Sequence, residues 1–516
     1  MGQVAGFRMF GGLHQISCHN LFFESRYHSG MKPRLLVRPL LFSLLLAFAA
    51  PPSLRAEGLP DLGETSQADL SPAMERRVGE EAMNEIRRDP AWLGDPEVNA
   101  YLNRLGNRLA AQSEESRQSF ELFALHDMTL NAFAMPGGFI GVHTGLILAA
   151  ETESELASVL AHEISHVTQH HLARLINKSG QGQVASLVAL AVAVLAARSN
   201  PDAAVGVAMA GQAAGIQNQL NYSRDFEREA DRIGLGLLER SGYDIRGMEN
   251  FFGRMQKFGR LYESNAPVYL RTHPLTTERL ADIGNRIQAR RYKQVPDSLE
   301  FQLVKAKLRA AEGSAQDAVI EFKSRLTDRK FSGSELAVRY GLARALMRSG
   351  NLPASEQQID ELRRLKAHSP MVETLAAELR LKQNDIAGAV KILRAAYAQY
   401  PQERGVVYGL VDALLMARQP AEALRVTNDD LLSYPSDATL YALQARIYAA
   451  LGQRLQQHRA QAENYALEGR LGEAIEQLEL GQKAGDGSFY EQSQVDARLR
   501  ELRQRLEEEK KLAKQK

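Results

Sequence analysis

The chain has 516 residues, with 63 Lys and Arg facing 62 Asp and Glu, and a single cysteine, Cys18. Residues 1–56 hold six of the bases and one of the acids, so a chain without them is slightly acidic and about 460 residues long. This charge balance argues against nucleic acid as a partner. The length predicts two or more domains.

The N-terminal segment has the features of a secretory signal peptide. Met31 opens a cationic stretch, an apolar run follows over residues 40–50, and small residues lead to Ala56. We therefore expect a signal peptide over residues 31–56 that is cleaved near Ala56, with residues 1–30 as an over-long start. A retained N-terminal anchor is the alternative, although the apolar run is short for a membrane span. Loss of Cys18 with this segment leaves no thiol for a disulfide.

Residues 57–295 mix helical and extended patterns. The spacing of apolar residues predicts amphipathic helices over residues 74–88 and 96–112 and a strand over residues 120–125. Two short extended runs within residues 131–143 then flank Pro136-Gly137-Gly138, a sequence typical of a turn. The pattern predicts a small sheet just before the next helix.

That next helix carries His162-Glu163-Ile164-Ser165-His166, an HExxH motif. Residues four apart share one helix face, so both imidazoles can bind a Zn²⁺ ion while Glu163 accepts a proton from a water on the metal. Chance occurrence is the alternative. Residues 152–161 lead into the motif without Gly or Pro, however, and Thr152 with Glu155 fits a capping box. A structural zinc site would need four protein ligands, and Cys18 is lost with the N-terminal segment. We therefore expect an open catalytic site.

Residues 184–216 are rich in apolar and small residues. The run 184–197 has only 14 positions, too few to span a bilayer. We expect a helical hairpin that packs over a cleft or makes a peripheral contact with a membrane surface. A buried core helix fits the pattern equally well.

Four acidic residues follow within residues 223–231, and they are Asp225, Glu227, Glu229 and Asp231. Glu227 and Asp231 are four apart and therefore share one face of a helix that continues through apolar residues 233–238, whereas Glu229 points elsewhere. A catalytic zinc needs a third protein ligand that can be distant in sequence, and these acids are its candidates.

From residue 297 the pattern is helix after helix without a strand signal. Prolines and alanines recur at intervals of 31 to 35 residues, at Pro370, Pro401 and Pro435 and at Ala354, Ala389 and Ala423. Periods near 34 are typical of tetratricopeptide repeats, which stack into curved arrays that bind peptides or proteins. Residues 297–516 are therefore predicted to form a repeat domain, with a non-repeating helical bundle as the alternative.

Together these motifs resemble one family. HExxH, a distant ExxxD, a preceding Asn-Ala-Phe…Pro-Gly-Gly segment and a following Thr-His-Pro are similar to the zinc metallopeptidase family of HtpX, Oma1 and BepA. The signal peptide and the repeats resemble its BepA-like periplasmic members. The resemblance implies a mainly α protein: an α+β gluzincin-type metalloprotease domain with a small sheet over residues 57–295, then an all-α tetratricopeptide-repeat array over residues 297–516.

The resemblance also implies a metal site with one Zn²⁺ per chain. His162, His166 and Glu227 would bind the ion, and Glu163 would act as the base. Asp231 would accept a hydrogen bond from a zinc histidine, which needs its second N–H oriented. A surface charge is the alternative for Asp231.

Further residues are implied to lie near the metal. His273 would donate to the oxyanion or fill the open metal position, with a loop histidine as the alternative. Arg279 would orient substrate or stabilise negative charge. An extended substrate would pair with the sheet edge around its binding residues, Asn131, Pro136, Gly137 and Gly138.

The function implied by the resemblance is that of a zinc-dependent endopeptidase of the cell envelope. It would act in the periplasm on misfolded or stalled outer-membrane proteins and aid their assembly, with the outer-membrane assembly machinery as a partner of the repeats. The alternative is chiefly a chaperone or adaptor that docks on that machinery, with proteolysis secondary. A cytoplasmic helper protease is a third, weaker reading.

Overall fold

A computed structural model describes residues 71–114, 118–174, 224–261, 268–291, 293–328 and 333–515. The expected signal peptide and the apolar segment 184–216 lie outside these residues. Within the described ranges helices dominate, and a single four-stranded sheet accompanies them. The expectation of a mainly helical chain with a small sheet is confirmed.

The first half alternates helices and strands. Its elements before the gap at residue 175 are α1 Pro72–Ile86, β1 Trp92–Leu93, α2 Pro96–Ala110, β2 Glu121–Leu125, β3 Ala132–Met135, β4 Phe139–His143, α3 Thr144–Ala149 and α4 Glu153–Thr168. After residue 223 follow α5 Arg224–Arg240, α6 Arg246–Leu261, α7 Val268–Thr272 and α8 Thr277–Gln288.

Side-chain caps fix the starts of α1, α2 and α4, and α1 begins at Pro72, two residues before its predicted start. Ser71 accepts from the backbone N–H of Met74, and Thr152 accepts from that of Glu155 at 3.3 Å. Asp95 caps α2 from the position before Pro96. Each cap satisfies an N–H group that has no partner within its helix, which fixes where the helix begins.

The sheet has the strand order β1-β2-β4-β3. β2 runs parallel to β4, and β3 pairs antiparallel with β4 across a short turn over Pro136–Gly138. The two extended runs around Pro-Gly-Gly are thus confirmed as neighbouring strands. β3 is an outer strand of the described sheet, and it packs against α4.

The second half consists of paired helices. They are α9 Leu299–Ala311, α10 Ala315–Thr327, α11 Glu335–Arg348, α12 Leu352–Arg364, α13 Pro370–Lys382, α14 Ile386–Gln399, α15 Arg404–Met416, α16 Pro420–Ser433, α17 Ala438–Leu451, α18 Arg454–Leu467, α19 Leu471–Gln482 and α20 Phe489–Gln515.

A left-handed residue marks the turn within four successive helix pairs. These residues are Gly350, Asn384, Arg418 and Gly452, with φ of 79°, 62°, 56° and 73°. They stand 34 residues apart each time, which is the period of the tetratricopeptide repeat. The repeat period read from the prolines and alanines therefore has a structural counterpart in the backbone.

The two halves share apolar packing. One hydrophobic cluster contains Leu102 of α2, Leu160 of α4 and Phe301 of α9, and the ring of Tyr101 lies 6.3 Å from that of Phe301. The boundary expected between residues 295 and 297 stays a prediction, because the packing is continuous across it. Among the described residues, no helix combines the length and the apolar character that crossing a membrane requires.

Candidate metal centre

Two helices bring the metal-ligating side chains together. α4 carries the HExxH motif, and α5 carries Glu227 and Asp231. Gly234 lies where they cross: a Cβ there would stand 3.1 Å from the backbone nitrogen of His162. Because α5 has no side chain at this point, the two backbones approach closely and the carboxylates of α5 face the imidazoles of α4.

Four candidate ligand atoms converge between these helices and the segment after α7. They come from His162, His166, Glu227 and His273, and all lie within 4.8 Å of one another. The Nε2 atoms of His162 and His166 are 3.0 Å apart, and each lies 3.5 Å from an oxygen of Glu227. Nδ1 of His273 lies 3.4 Å from Nε2 of His162 and 3.0 Å from Oε1 of Glu227.

These spacings fit a tetrahedral metal ion. Bonds of about 2.1 Å at tetrahedral angles place neighbouring ligand atoms about 3.4 Å apart. Two imidazole nitrogens and a carboxylate oxygen are also a ligand set that Zn²⁺ accepts. The residues therefore suit a single metal ion, with Nδ1 of His273 at the spacing of a fourth ligand.

The site is closed off from solvent. His162 and Glu163 are 0 % exposed, and the other members of the cluster are 2 % exposed. Burial opposes the charged form of His162, but Asp231 and Glu227 outweigh it and raise the pKa of His162 to about 9. Burial and the charge of His162 lower the pKa of His166 well below its usual value. Without a metal ion the cluster therefore favours the protonated form of His162, and a metal ion would compete with that proton.

Asp231 and Arg279 support the first histidine. Oδ1 of Asp231 lies 3.0 Å from Nδ1 of His162. Arg279 donates two hydrogen bonds to Asp231, at 2.6 and 2.7 Å, and its Nη1 lies 2.7 Å from Oε2 of Glu227. The structure therefore places Asp231 at the nitrogen of His162 that does not face the ligand cluster, and Arg279 against the two carboxylates.

Glu163 lies beside the ligands with its carboxylate buried. Nε2 of His273 is 3.6 Å from Oε1 of Glu163. The backbone N–H of Ala134 in β3 faces the same carboxylate and favours its charged form, although the contact falls short of good hydrogen-bond geometry. Burial is the larger effect and raises the pKa of Glu163. His273 itself stacks on Tyr269, with ring centroids 4.7 Å apart.

The sequence places His171 soon after the motif and leaves open whether it lies at the surface or supports a metal ligand; in the structure it contacts the second histidine. Nδ1 of His171 lies 2.9 Å from Nδ1 of His166, and Nε2 of His171 lies 3.2 Å from Oε2 of Glu229. His171 is 0 % exposed, and burial lowers its pKa to about 4. The spacing of His166 and His171, five residues apart across a helix end, gave no periodic signal. Glu229, which does not belong to the ligand cluster, binds His171 instead.

The expected substrate-binding residues lie at the sheet edge next to the metal. Asn131 directly precedes β3, and its backbone carbonyl accepts from the N–H of His143. The turn Pro136–Gly138 is buried, since α1 packs on it: Arg76 donates to the carbonyl of Gly137, and a Cβ at Gly79 would stand 2.1 Å from the carbonyl of Pro136. In this conformation α1 covers the turn, while β3 remains an outer strand of the described sheet.

Comparisons with known proteins agree with this arrangement. Residues 96–287 match the model of peptidase family M48, and residues 380–447 match that of the tetratricopeptide repeat. The chain is 32 % identical to the β-barrel assembly-enhancing protease of Escherichia coli (strain K12), over 91 % of this chain and 96 % of the relative. The corresponding protease of Yersinia pestis is 31 % identical over 91 % of this chain and 98 % of its own.

A more distant relative matches a smaller share of the chain. The mitochondrial metalloendopeptidase OMA1 of Arabidopsis thaliana is 29 % identical over 38 % of this chain and 38 % of the relative. With a metallopeptidase domain, the repeats and full-length similarity in one chain, the protein belongs to the family of β-barrel assembly-enhancing proteases, metalloproteases with a peptidase family M48 domain.

Proposed function

We propose that this chain is a zinc-dependent endopeptidase of the cell envelope. It acts in the periplasm, hydrolyses peptide bonds of misfolded or stalled outer-membrane proteins, and aids their assembly. The relatives that match nearly the whole chain are named for enhancing β-barrel assembly. The signal-peptide pattern of residues 31–56 supports export.

His162, His166 and Glu227 would hold the zinc ion, one per chain. When bound, Zn²⁺ lowers the pKa of a coordinated water toward neutrality and polarises the peptide carbonyl. Asp231 faces Nδ1 of His162 at 3.0 Å, short of good hydrogen-bond geometry, and its negative charge would hold that imidazole in one orientation. Arg279 stabilises the negative charge of Asp231 and Glu227 from the other side.

Glu163 is the base that moves the proton. Its carboxylate is buried beside the ligands, and burial raises its pKa, which makes it a stronger base. Glu163 would take the proton of the attacking water and pass it to the leaving amine. His273, 3.6 Å from Glu163, is placed to donate to the oxyanion or to occupy the fourth metal position at rest.

The outer strand β3 would hold the substrate. It packs against the HExxH helix, so a peptide added along its outer edge runs past Glu163. Asn131 and the turn Pro136–Gly138 bracket this strand and set the ends of the substrate site.

The observation that carries the proposal is the convergence of four ligand atoms within 4.8 Å beside a buried glutamate. Its test is the Glu163→Gln variant of the full chain, which keeps the ligands but removes the base. We expect loss of hydrolysis of a denatured outer-membrane protein with unchanged zinc content. Glu151→Gln, whose parent side chain is 70 % exposed, is the matched control. Full activity of Glu163→Gln contradicts the mechanism.

The second candidate function is that of a chaperone or adaptor whose repeats dock on the outer-membrane assembly machinery. Apolar packing that is continuous between repeats and protease favours a role for the repeats beyond tethering. Because truncation would cut through that cluster, the full-length Glu163→Gln chain is the better probe. Restoration of outer-membrane protein assembly by this variant in cells that lack the protein supports the adaptor function; failure supports proteolysis.

A further inference from the structure

The second metal histidine, His166, is followed by a line of polar contacts that leads away from the metal. Its Nε2 faces the ligand cluster, and its Nδ1 lies 2.9 Å from Nδ1 of His171. The opposite nitrogen of His171 lies 3.2 Å from Oε2 of Glu229, and Arg174 donates to the same oxygen at 3.0 Å. Four side chains thus form a continuous path from the metal site toward the surface.

The chemistry of metal binding fixes the protons along this path. A histidine that binds a metal through Nε2 carries its proton on Nδ1, so His166 donates to His171. His171 then accepts at Nδ1 and carries its own proton on Nε2, which it donates to the carboxylate of Glu229. Each donor meets an acceptor, and Arg174 balances the charge of Glu229.

Packing holds His171 in the orientation that this path needs. Its ring is fully buried and stacks on Phe226 of α5, with centroids 4.5 Å apart and planes 12° apart. The guanidinium of Arg174 also lies over the ring of Phe226, 4.6 Å from its centroid. Phe226 directly precedes Glu227, so the residue that fixes His171 is bonded to the third ligand.

We propose that His171 is a positioning residue for metal binding: held by Glu229 and Phe226, it sets the tautomer and ring orientation of His166. The relation parallels that of Asp231 to His162, so that each metal histidine has its own acceptor. The inference rests on the proposed metal centre. Mutation of a residue that orients a metal histidine typically lowers metal affinity by roughly 10- to 100-fold.

The test measures Zn²⁺ affinity of the full chain by competition with a chromophoric chelator. His171→Phe keeps an aromatic ring against Phe226 but removes the acceptor, and we expect affinity to fall about 10- to 100-fold. His171→Asn places an amide oxygen near the former Nδ1 and should recover much of that loss. The melting temperature of the metal-free variants separates an effect on the metal from one on the fold.

A second pair of variants acts further from the metal, should His171→Phe fail to fold. Glu229→Gln keeps an acceptor for His171, whereas Glu229→Leu removes it, so only the leucine variant should bind Zn²⁺ more weakly. Asp225→Leu, on the same helix with its side chain 83 % exposed, is the control for losing a surface acid.

Equal Zn²⁺ affinity of wild type, His171→Phe and Glu229→Leu overturns the proposal. So does an equal loss in His171→Phe and His171→Asn, because the acceptor would then play no part. If the wild-type protein binds no Zn²⁺, the proposed metal centre itself is contradicted. That result is distinct from equal Zn²⁺ binding by the wild type and all variants.

Discussion

Ser298 donates two hydrogen bonds to the side chain of Glu153, one from its backbone N–H at 2.9 Å and one from its hydroxyl at 2.8 Å. Glu153 is the first residue of α4, which carries the HExxH motif, and Ser298 caps α9, the first helix of the second half. Tyr101 of α2 donates to the same carboxylate at 3.1 Å. The start of the metal-binding helix is therefore joined directly to the start of the repeats.

The first prediction concerns this junction. Glu153→Ala should lower the free energy of unfolding by about 2 kcal/mol, because it leaves the buried hydroxyl of Tyr101 without an acceptor, at about 1–3 kcal/mol, and also removes the acceptor of the part-buried Ser298. Urea denaturation of the full chain measures the change. Glu151→Ala, two positions earlier and 70 % exposed, should leave stability nearly unchanged. Equal stability of the two variants would show that the junction contributes nothing.

The second prediction compares two glycines with the same backbone angle. Gly137 and Gly350 have φ of 78° and 79°. A Cβ at Gly137 would stand 2.6 Å from the Cα of Arg76, whereas a Cβ at Gly350 would meet nothing within 4 Å. Both alanine variants bear the left-handed penalty of roughly 1–2 kcal/mol, but only Gly137→Ala must also displace α1.

Gly137→Ala should therefore lose more stability than Gly350→Ala in urea denaturation. It should also make α1 more sensitive to limited proteolysis, because α1 packs on the turn Pro136–Gly138. If the two variants lose equal stability, the contact between α1 and the turn does not hold the helix in place.

Local patterns explain why so much of this fold could be predicted. The HExxH helix, its cap at Thr152 and the turn at Pro136–Gly138 depend on spacing within a few residues. The prediction of the repeats depends on a sequence period that recurs along the second half of the chain. The left-handed positions include Asn384 and Arg418, so glycine alone would have revealed only part of that period.

Long-range contacts explain what the sequence could not supply. The packing of α1 on the turn joins residues about 60 positions apart, and the junction of Glu153 with Ser298 joins residues 145 positions apart. His171 and Glu229 meet across a similar separation of 58. Such contacts leave no periodic trace in one sequence, because burial, and not spacing, determines them.

The third prediction is a pH dependence of stability at another contact between the two halves, the ion pair of Asp95 with Lys307. Asp95 caps α2 and lies 2.5 Å from Nζ of Lys307 in α9. Burial favours the neutral acid, but Lys307 and the backbone of Val98 outweigh it and lower the pKa of Asp95. A lowered folded-state pKa stabilises the fold at pH above the unfolded pKa, and this stabilisation is lost as the pH falls through the folded pKa.

Asp95→Asn should therefore be less stable than wild type at pH 7 and lose less stability when the pH is lowered from about 4 to about 2. Urea denaturation at both pH values gives the comparison. Asp225→Asn, at a side chain that is 83 % exposed, should keep the wild-type slope. If Asp95→Asn shows the same change of stability with pH as the wild type, other acidic residues cause the loss of stability at low pH.

The last prediction concerns Arg279, which is 3 % exposed and donates to Asp231 through two nitrogens. Its removal leaves the buried carboxylates of Asp231 and Glu227 without their guanidinium partner. Loss of one partner of a buried ion pair costs about 3–5 kcal/mol, so Arg279→Leu should be destabilised by that amount in the metal-free protein. Arg279→Lys keeps the charge but not the planar fork, and should recover only part of the loss.

Zinc should reduce the difference between wild type and Arg279→Leu, because a divalent cation bound to Glu227 supplies positive charge at the same carboxylate and binds the folded state alone. Thermal denaturation with and without added Zn²⁺ measures this coupling. Arg228→Leu, an exposed arginine on α5 beside Asp225, should show neither the destabilisation nor the rescue. Wild-type stability of Arg279→Leu without metal would mean that Asp231 and Glu227 do not need the arginine cation in the metal-free protein.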